Sequence, residues 1–118
     1  SSNHTIHLIA MAKAAGIVLN WDDFNAISKV TPLLCRMYPN GQADVNGFRE
    51  AGGMSVVISQ LLDAGLVHAD VETVVGKGLE RYIAEPSLHR SHLTFDAGPT
   101  LSRDTDVVSS MEEPFKLD

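Results

Sequence analysis

The sequence holds one cysteine, Cys35, which excludes an internal disulfide and any metal site built on several cysteines. Beside Leu33 and Leu34, this thiol reads as a small buried hydrophobe. There is no cluster of Lys and Arg either. The 9 basic residues are scattered singly from Lys13 to Lys116 against 15 acids, for a formal charge of -6. A nucleic-acid partner would require a basic stripe, so none is expected. No apolar run approaches the roughly 18 residues of a membrane span, and no charged n-region precedes the apolar start. A cytoplasmic protein without a membrane partner is the expectation. An initiator Met is also missing, and the first residue falls inside what reads as a helix cap, as in an internal piece of a longer protein.

What is present has the balance of a packed globule. Of the 118 residues, 44% are hydrophobic and 20% charged, enough for one modest core and unlike a disordered tail or a coiled coil. Residues 1–15 predict a helix capped by Ser2 or Asn3 and ended by Gly16 in a left-handed conformation. Ile6, Ile9, Ala10 and Lys13 mark one face and Leu8, Ala12 and Ala15 another, so this helix should be covered on most sides. A second helix opens at Trp21, with Asp22 as its cap, with Phe24, Ile27 and Val30 or Thr31 inward, and with Pro32 ending it. Leu33 to Met37 predicts a short strand or extended connector, and Tyr38-Pro39-Asn40-Gly41 a turn.

Asp44 caps a third predicted helix through Glu50. Gly52-Gly53 interrupts it, for a kink or a close backbone approach, before a strongly amphipathic helix from Met54 to Gly65. Gly76 and Gly78 split the next segment into an extended piece and a brief helix. Beyond Pro86 only Leu93 to Phe95 resembles a strand, and the acids and serines of residues 102–118 read as a linker. The expected fold is mainly α: residues 1–85 form the helix-rich part of a larger α/β N-terminal domain. Residues 86–118 form an irregular tail toward a further C-terminal domain.

Few residues here suggest chemistry by themselves. Ser1, Ser2, Asn3, His4 and Thr5 place hydrogen-bonding side chains at a helix N-terminus, suited either to ordinary capping or to binding a carboxylate or phosphate. His4 and His7 share a helical turn but have no third ligand at a metal-site spacing. Gly76-Lys77-Gly78 is too short for a phosphate loop, and the adjacent acids Asp22-Asp23 and Glu112-Glu113 diverge. No nucleophile, base and orienting group assemble, so neither catalytic nor metal-ligating residues are assigned.

Larger motifs carry a resemblance. Ser1-Ser2-Asn3, His7-Leu8, Ala14-Ala15-Gly16, Asp22-Asp23-Phe24, Gly52-Gly53 and the run from Leu61 to His68 resemble the iron-sulfur dehydratases that include the dihydroxy-acid and 6-phosphogluconate enzymes. His4, Asn20-Trp21, Tyr38-Pro39-Asn40-Gly41, Ala43 to Asn46, Phe48 and the run from Asp70 to Tyr82 look like the phosphogluconate branch. The resemblance implies a hydro-lyase that eliminates water from 6-phosphogluconate, working as a homodimer. It also implies an iron-sulfur cluster held by cysteines outside this chain, with Cys35 matching none of them. Ser1, Ser2, Asn3 and His4 would then bind the sugar acid, and the chain alone would bind no cluster and be inactive. A fragment of a dihydroxy-acid or other sugar-acid dehydratase is the alternative within that family, and a free-standing helical interaction module the alternative outside it.

Overall fold

A computed structural model describes residues 2–116. The chain divides into two compact units, Ser1–Pro32 and Leu33–Asp118.

The first unit carries α1 (Ser2–Ala14) and α2 (Trp21–Val30). Gly16, at φ +76°, ends α1 as expected. The Ile17 N–H reaches back to Ala12 O (2.8 Å) and the Gly16 N–H to Lys13 O (3.1 Å), the double closure that a left-handed C′ residue permits. The cap of α2 is Asn20 rather than Asp22. Asn20 is extended (φ -133°, ψ 177°), and its Oδ1 accepts from the N–H groups of Asp22 (2.9 Å) and Asp23 (3.2 Å). Asp23 Oδ2 accepts from the Asn20 N–H (2.9 Å), completing a capping box two residues earlier than the expected Asp22 cap. Ile27 and Val30 are exposed, against the inward positions expected of them.

The second unit contains α3 (Val45–Ala51), α4 (Gly53–Asp63), β1 (Glu72–Thr73), β2 (Gly76–Lys77), a 3-10 helix (Leu79–Ile83), β3 (Ala84–His89) and β4 (His92–Ala97). β1 pairs with β2 and β3 with β4, each antiparallel, so the expected helices are joined by two small sheets and the architecture is mixed helix and sheet, mainly α only in part. Asp44 caps α3 as expected, accepting from the Gly47 N–H at 2.9 Å. Gly52 is at once the residue after α3 and the residue before α4, at φ +125°. A Cβ there would also strike the Val56 side chain, so the paired glycines give both a sharp joint and a close approach.

Two further expectations fail in this unit. Pro86 does not end regular structure: it lies within β3, opposite Phe95. In a two-stranded sheet both strands are edges, and proline fits where its missing donor faces away from the partner. Strand β3 also runs across residues 85 and 86, where composition placed a boundary. Residues 102–116 do not read as a solvated linker either. Val107, Val108 and Ser109 are buried, and Val107 and Val108 join Ala51 and Val56 in the core, flanked by Cys35, Met37, Ala43, Phe48 and Val57. The extended piece after Pro32 receives this segment. Arg36 N–H donates to Val107 O (2.9 Å), Ser109 N–H to Leu34 O (2.8 Å) and Phe115 N–H to Leu33 O (2.9 Å). The Gln60 amide clamps the same segment, donating to Ser109 O (3.0 Å) and accepting from the Met111 N–H (2.8 Å). Arg36 lies over the Phe115 ring (4.9 Å) and donates to Lys116 O (2.7 Å).

Candidate functional site

Of the four expected substrate-binding residues, Ser1 lies outside the described residues, and Ser2, Asn3 and His4 occupy the first turn of α1. Ser2 and Asn3 are therefore helical rather than capping residues. All three are exposed. Successive helical positions turn by about 100°, so their side chains fan around the helix end instead of lining one face. Thr5 Oγ1 donates to the backbone Ser2 O at 2.9 Å. No acidic side chain occupies this first turn, so nothing within it offsets the partial positive charge of the helix N-terminus. Chemically, the arrangement suits an anionic or hydroxyl-rich ligand approaching along the helix axis.

The other sequence-level candidates do not assemble. His4 and His7 are both exposed on α1, and among the described residues no group of three or more His, Cys, Asp or Glu side chains could hold a metal ion. The hairpin β3–β4 gathers Ser87, Thr94, Asp96 and His89. Ser87 donates to Asp96 Oδ2 and shares a 2.8 Å hydrogen bond with Thr94, while His89 Nε2 lies 3.8 Å from Asp96. The serine hydroxyl donates to a carboxylate and has no imidazole partner, so the Ser–His pairing that activates a nucleophilic serine is not formed here. Cys35 is half-buried beside the core, and that burial raises its pKa, which disfavours the thiolate that a metal would need.

One feature escaped sequence reasoning. The second unit has an open cavity of about 460 Å³ between α3, the start of α4, the 3-10 helix and the hairpin. Phe48, Tyr82 and Phe95 give it apolar walls, with Arg49, Arg81 and Glu85 at its margins. Arg81 Nη1 is engaged by Val75 O at 3.1 Å. Since β3 was not legible in the sequence, neither was a cavity that depends on it.

An iron-sulfur cluster, which the family resemblance implies, does not fit the described residues: they offer one half-buried thiol and no converging ligand set. No helix of the described residues is long and apolar enough to cross a membrane.

Comparison with known proteins supplies what this geometry leaves open. Residues 1–82 match the model of the dihydroxy-acid/6-phosphogluconate dehydratase N-terminal family. The chain is 54% identical over 115 residues to a phosphogluconate dehydratase of Escherichia coli, covering 98% of this chain and 19% of that protein. It is 52% identical over 118 residues to one from Pseudomonas aeruginosa, covering 100% of this chain and 19% of the relative. A dihydroxy-acid dehydratase of Saccharolobus islandicus is 43% identical over 99 residues, covering 81% of this chain and 18% of the relative. The chain thus spans about a fifth of the length of these relatives. On this match, over more than half its residues, the chain belongs to the dihydroxy-acid/6-phosphogluconate dehydratase family.

Proposed function

We propose that this chain is part of a phosphogluconate dehydratase, a hydro-lyase that removes water from 6-phosphogluconate to give 2-keto-3-deoxy-6-phosphogluconate. The observation that carries this reading is the 54% and 52% identity over nearly the whole chain to two phosphogluconate dehydratases, against 43% over a shorter stretch to a dihydroxy-acid dehydratase. In that enzyme residues 1–85 belong to the N-terminal domain, and residues 86–118 continue it toward a further one. The iron-sulfur cluster is held by residues outside this chain and supplies Lewis acidity. The whole enzyme is a cytoplasmic homodimer.

Ser1, Ser2, Asn3 and His4 bind the sugar acid. Their side chains and the first-turn N–H groups of α1 meet carboxylate and hydroxyl oxygens, where the helix N-terminus favours negative charge. Among the described residues no proton-transferring pair comes together, and by itself the 118-residue chain does not turn over substrate. The test is a chimera in which this chain replaces the matching segment of the E. coli relative, assayed on 6-phosphogluconate and on dihydroxyisovalerate. Activity confined to the first substrate is expected. A folded chimera that is inert on 6-phosphogluconate, or that prefers dihydroxyisovalerate, overturns the proposal.

A further inference from the structure

The open cavity of the second unit takes no part in the proposed function, which rests on α1 in the other unit. At about 460 Å³ it falls within the roughly 300–1,000 Å³ of small-molecule sites. Its apolar walls are aromatic: Phe48 comes from α3, Tyr82 from the 3-10 helix and Phe95 from β4. Among the described residues the ring contact Trp21–Phe24 and the cation–π contact Arg36–Phe115 involve none of these three, so ring surface is left for a flat body entering the cavity. Two cations border the same space. The chain carries 15 acids against 9 basic residues, yet among the described residues neither Arg49 nor Arg81 meets a carboxylate. Arg81 is held in place: Nη1 donates to Val75 O at 3.1 Å, and the guanidinium lies against Gly76, where a Cβ would stand 3.6 Å from Cζ. Its remaining N–H groups, like those of Arg49, suit the oxygens of a phosphate. Glu85 is half-buried at the margin and adds an acceptor for a hydroxyl or amino donor.

We propose that this cavity is a binding site for a nucleoside monophosphate. The base lies against the aromatic walls, where stacking accepts any π-face. A ribose hydroxyl or a base amino group donates to Glu85. The phosphate monoester, with a charge of about −2, is met by the two guanidiniums. A bare phosphate would leave the rings unused, and an uncharged aromatic would leave both guanidiniums uncompensated, so the ligand carries a flat body and an anion together. The inference goes beyond the proposed function and does not depend on it.

The test is a titration of the 118-residue chain with adenosine monophosphate, followed by the amide resonances. Saturable shifts at Phe48, Arg49, Tyr82 and Phe95 are expected, with none along α1. Arg49→Gln, at an exposed position, should weaken binding by about tenfold or more, and Phe95→Ala, also exposed, by a similar factor. Each variant should otherwise keep the unliganded spectrum, and should one not fold, the other decides. Adenosine and inorganic phosphate, titrated separately, should each bind about tenfold more weakly or worse than the nucleotide. No saturable binding, shifts scattered over the exposed apolar residues of both units, or an affinity indifferent to the substitutions overturns the proposal. So does adenosine binding as tightly as its monophosphate, which would reduce the site to an apolar cleft, or 6-phosphogluconate displacing the nucleotide at lower concentration, which would make the cavity part of the substrate site. Equilibrium dialysis against the E. coli chimera should give the same nucleotide affinity and the same loss on Arg49→Gln; a folded chimera that binds none overturns the proposal. Failure of that chimera to turn over 6-phosphogluconate bears on the proposed function alone.

Discussion

Replacing Val108 by alanine asks whether the acidic, serine-rich end of the chain is structural. Val108 is fully buried and packs with Ala51, Val56 and Val107. Removing two methyl groups forfeits about 1.6 kcal/mol of transfer free energy, and the unfilled space raises the loss to about 2–3 kcal/mol. That is a large share of the roughly 5–15 kcal/mol that holds a domain folded. With a urea dependence of about 1 kcal/mol per molar, the unfolding midpoint of the 118-residue chain should fall by about 2–3 M. Far-UV circular dichroism is the suitable probe, because the one tryptophan, Trp21, lies in the other unit. Leu101→Ala, at a position 79% exposed in the same stretch, serves as control and should change stability by under about 0.5 kcal/mol. If Val108→Ala is as silent as Leu101→Ala, the packing of this segment described above is wrong.

Gln60→Ala removes both hydrogen bonds to residues 109 and 111, for about 1–3 kcal/mol, and should speed amide exchange at Met111 more than at α3. Asp44 has its pKa lowered from 3.8, chiefly by the Gly47 N–H. Its capping contribution is therefore complete above the ordinary aspartate value and lost as pH falls through the lowered one. The Gly47 amide resonance should follow that titration, and Asp44→Asn, which keeps an acceptor, should flatten it. Burial raises the pKa of Cys35, so alkylation by iodoacetamide at pH 7 should be slower than for a free cysteine and should accelerate above pH 9; a fast reaction at pH 7 contradicts the packing. In the E. coli chimera, Asn3→Ala should lower kcat/KM for 6-phosphogluconate about 10- to 100-fold, the worth of one hydrogen bond to a charged group. An unchanged value removes Asn3 from the site.

Local signals carried the helices well. The Gly16 stop, the Asp44 cap, the Gly52-Gly53 joint and the split around Gly76 and Gly78 all appear where short-range chemistry puts them. Elsewhere the determinants are either atypical or distant. The β3–β4 turn is made by Arg90 and Ser91 at φ 46° and 70°, left-handed positions that usually announce themselves with Asn or Gly. Val107-Val108 is too short to register as an element, and its backbone partners are Cys35 and Arg36, more than 70 residues away, so nothing nearby reveals the pairing. Asn20 outcompeted Asp22 because a cap needs extended backbone as well as an oxygen. For the candidate site, residue chemistry goes no further than a helix N-terminus able to meet an anion, and the substrate comes from family resemblance. In the enzyme proposed above, proton transfer and metal binding would call for side chains from elsewhere, which no pattern within these residues could disclose.

The central claim is that this chain performs its part in a phosphogluconate dehydratase. The most direct test is turnover by the E. coli chimera of 6-phosphogluconate and dihydroxyisovalerate, measured side by side at equal enzyme concentration. The account predicts water elimination from the first and none from the second; a chimera that folds yet leaves 6-phosphogluconate untouched contradicts it.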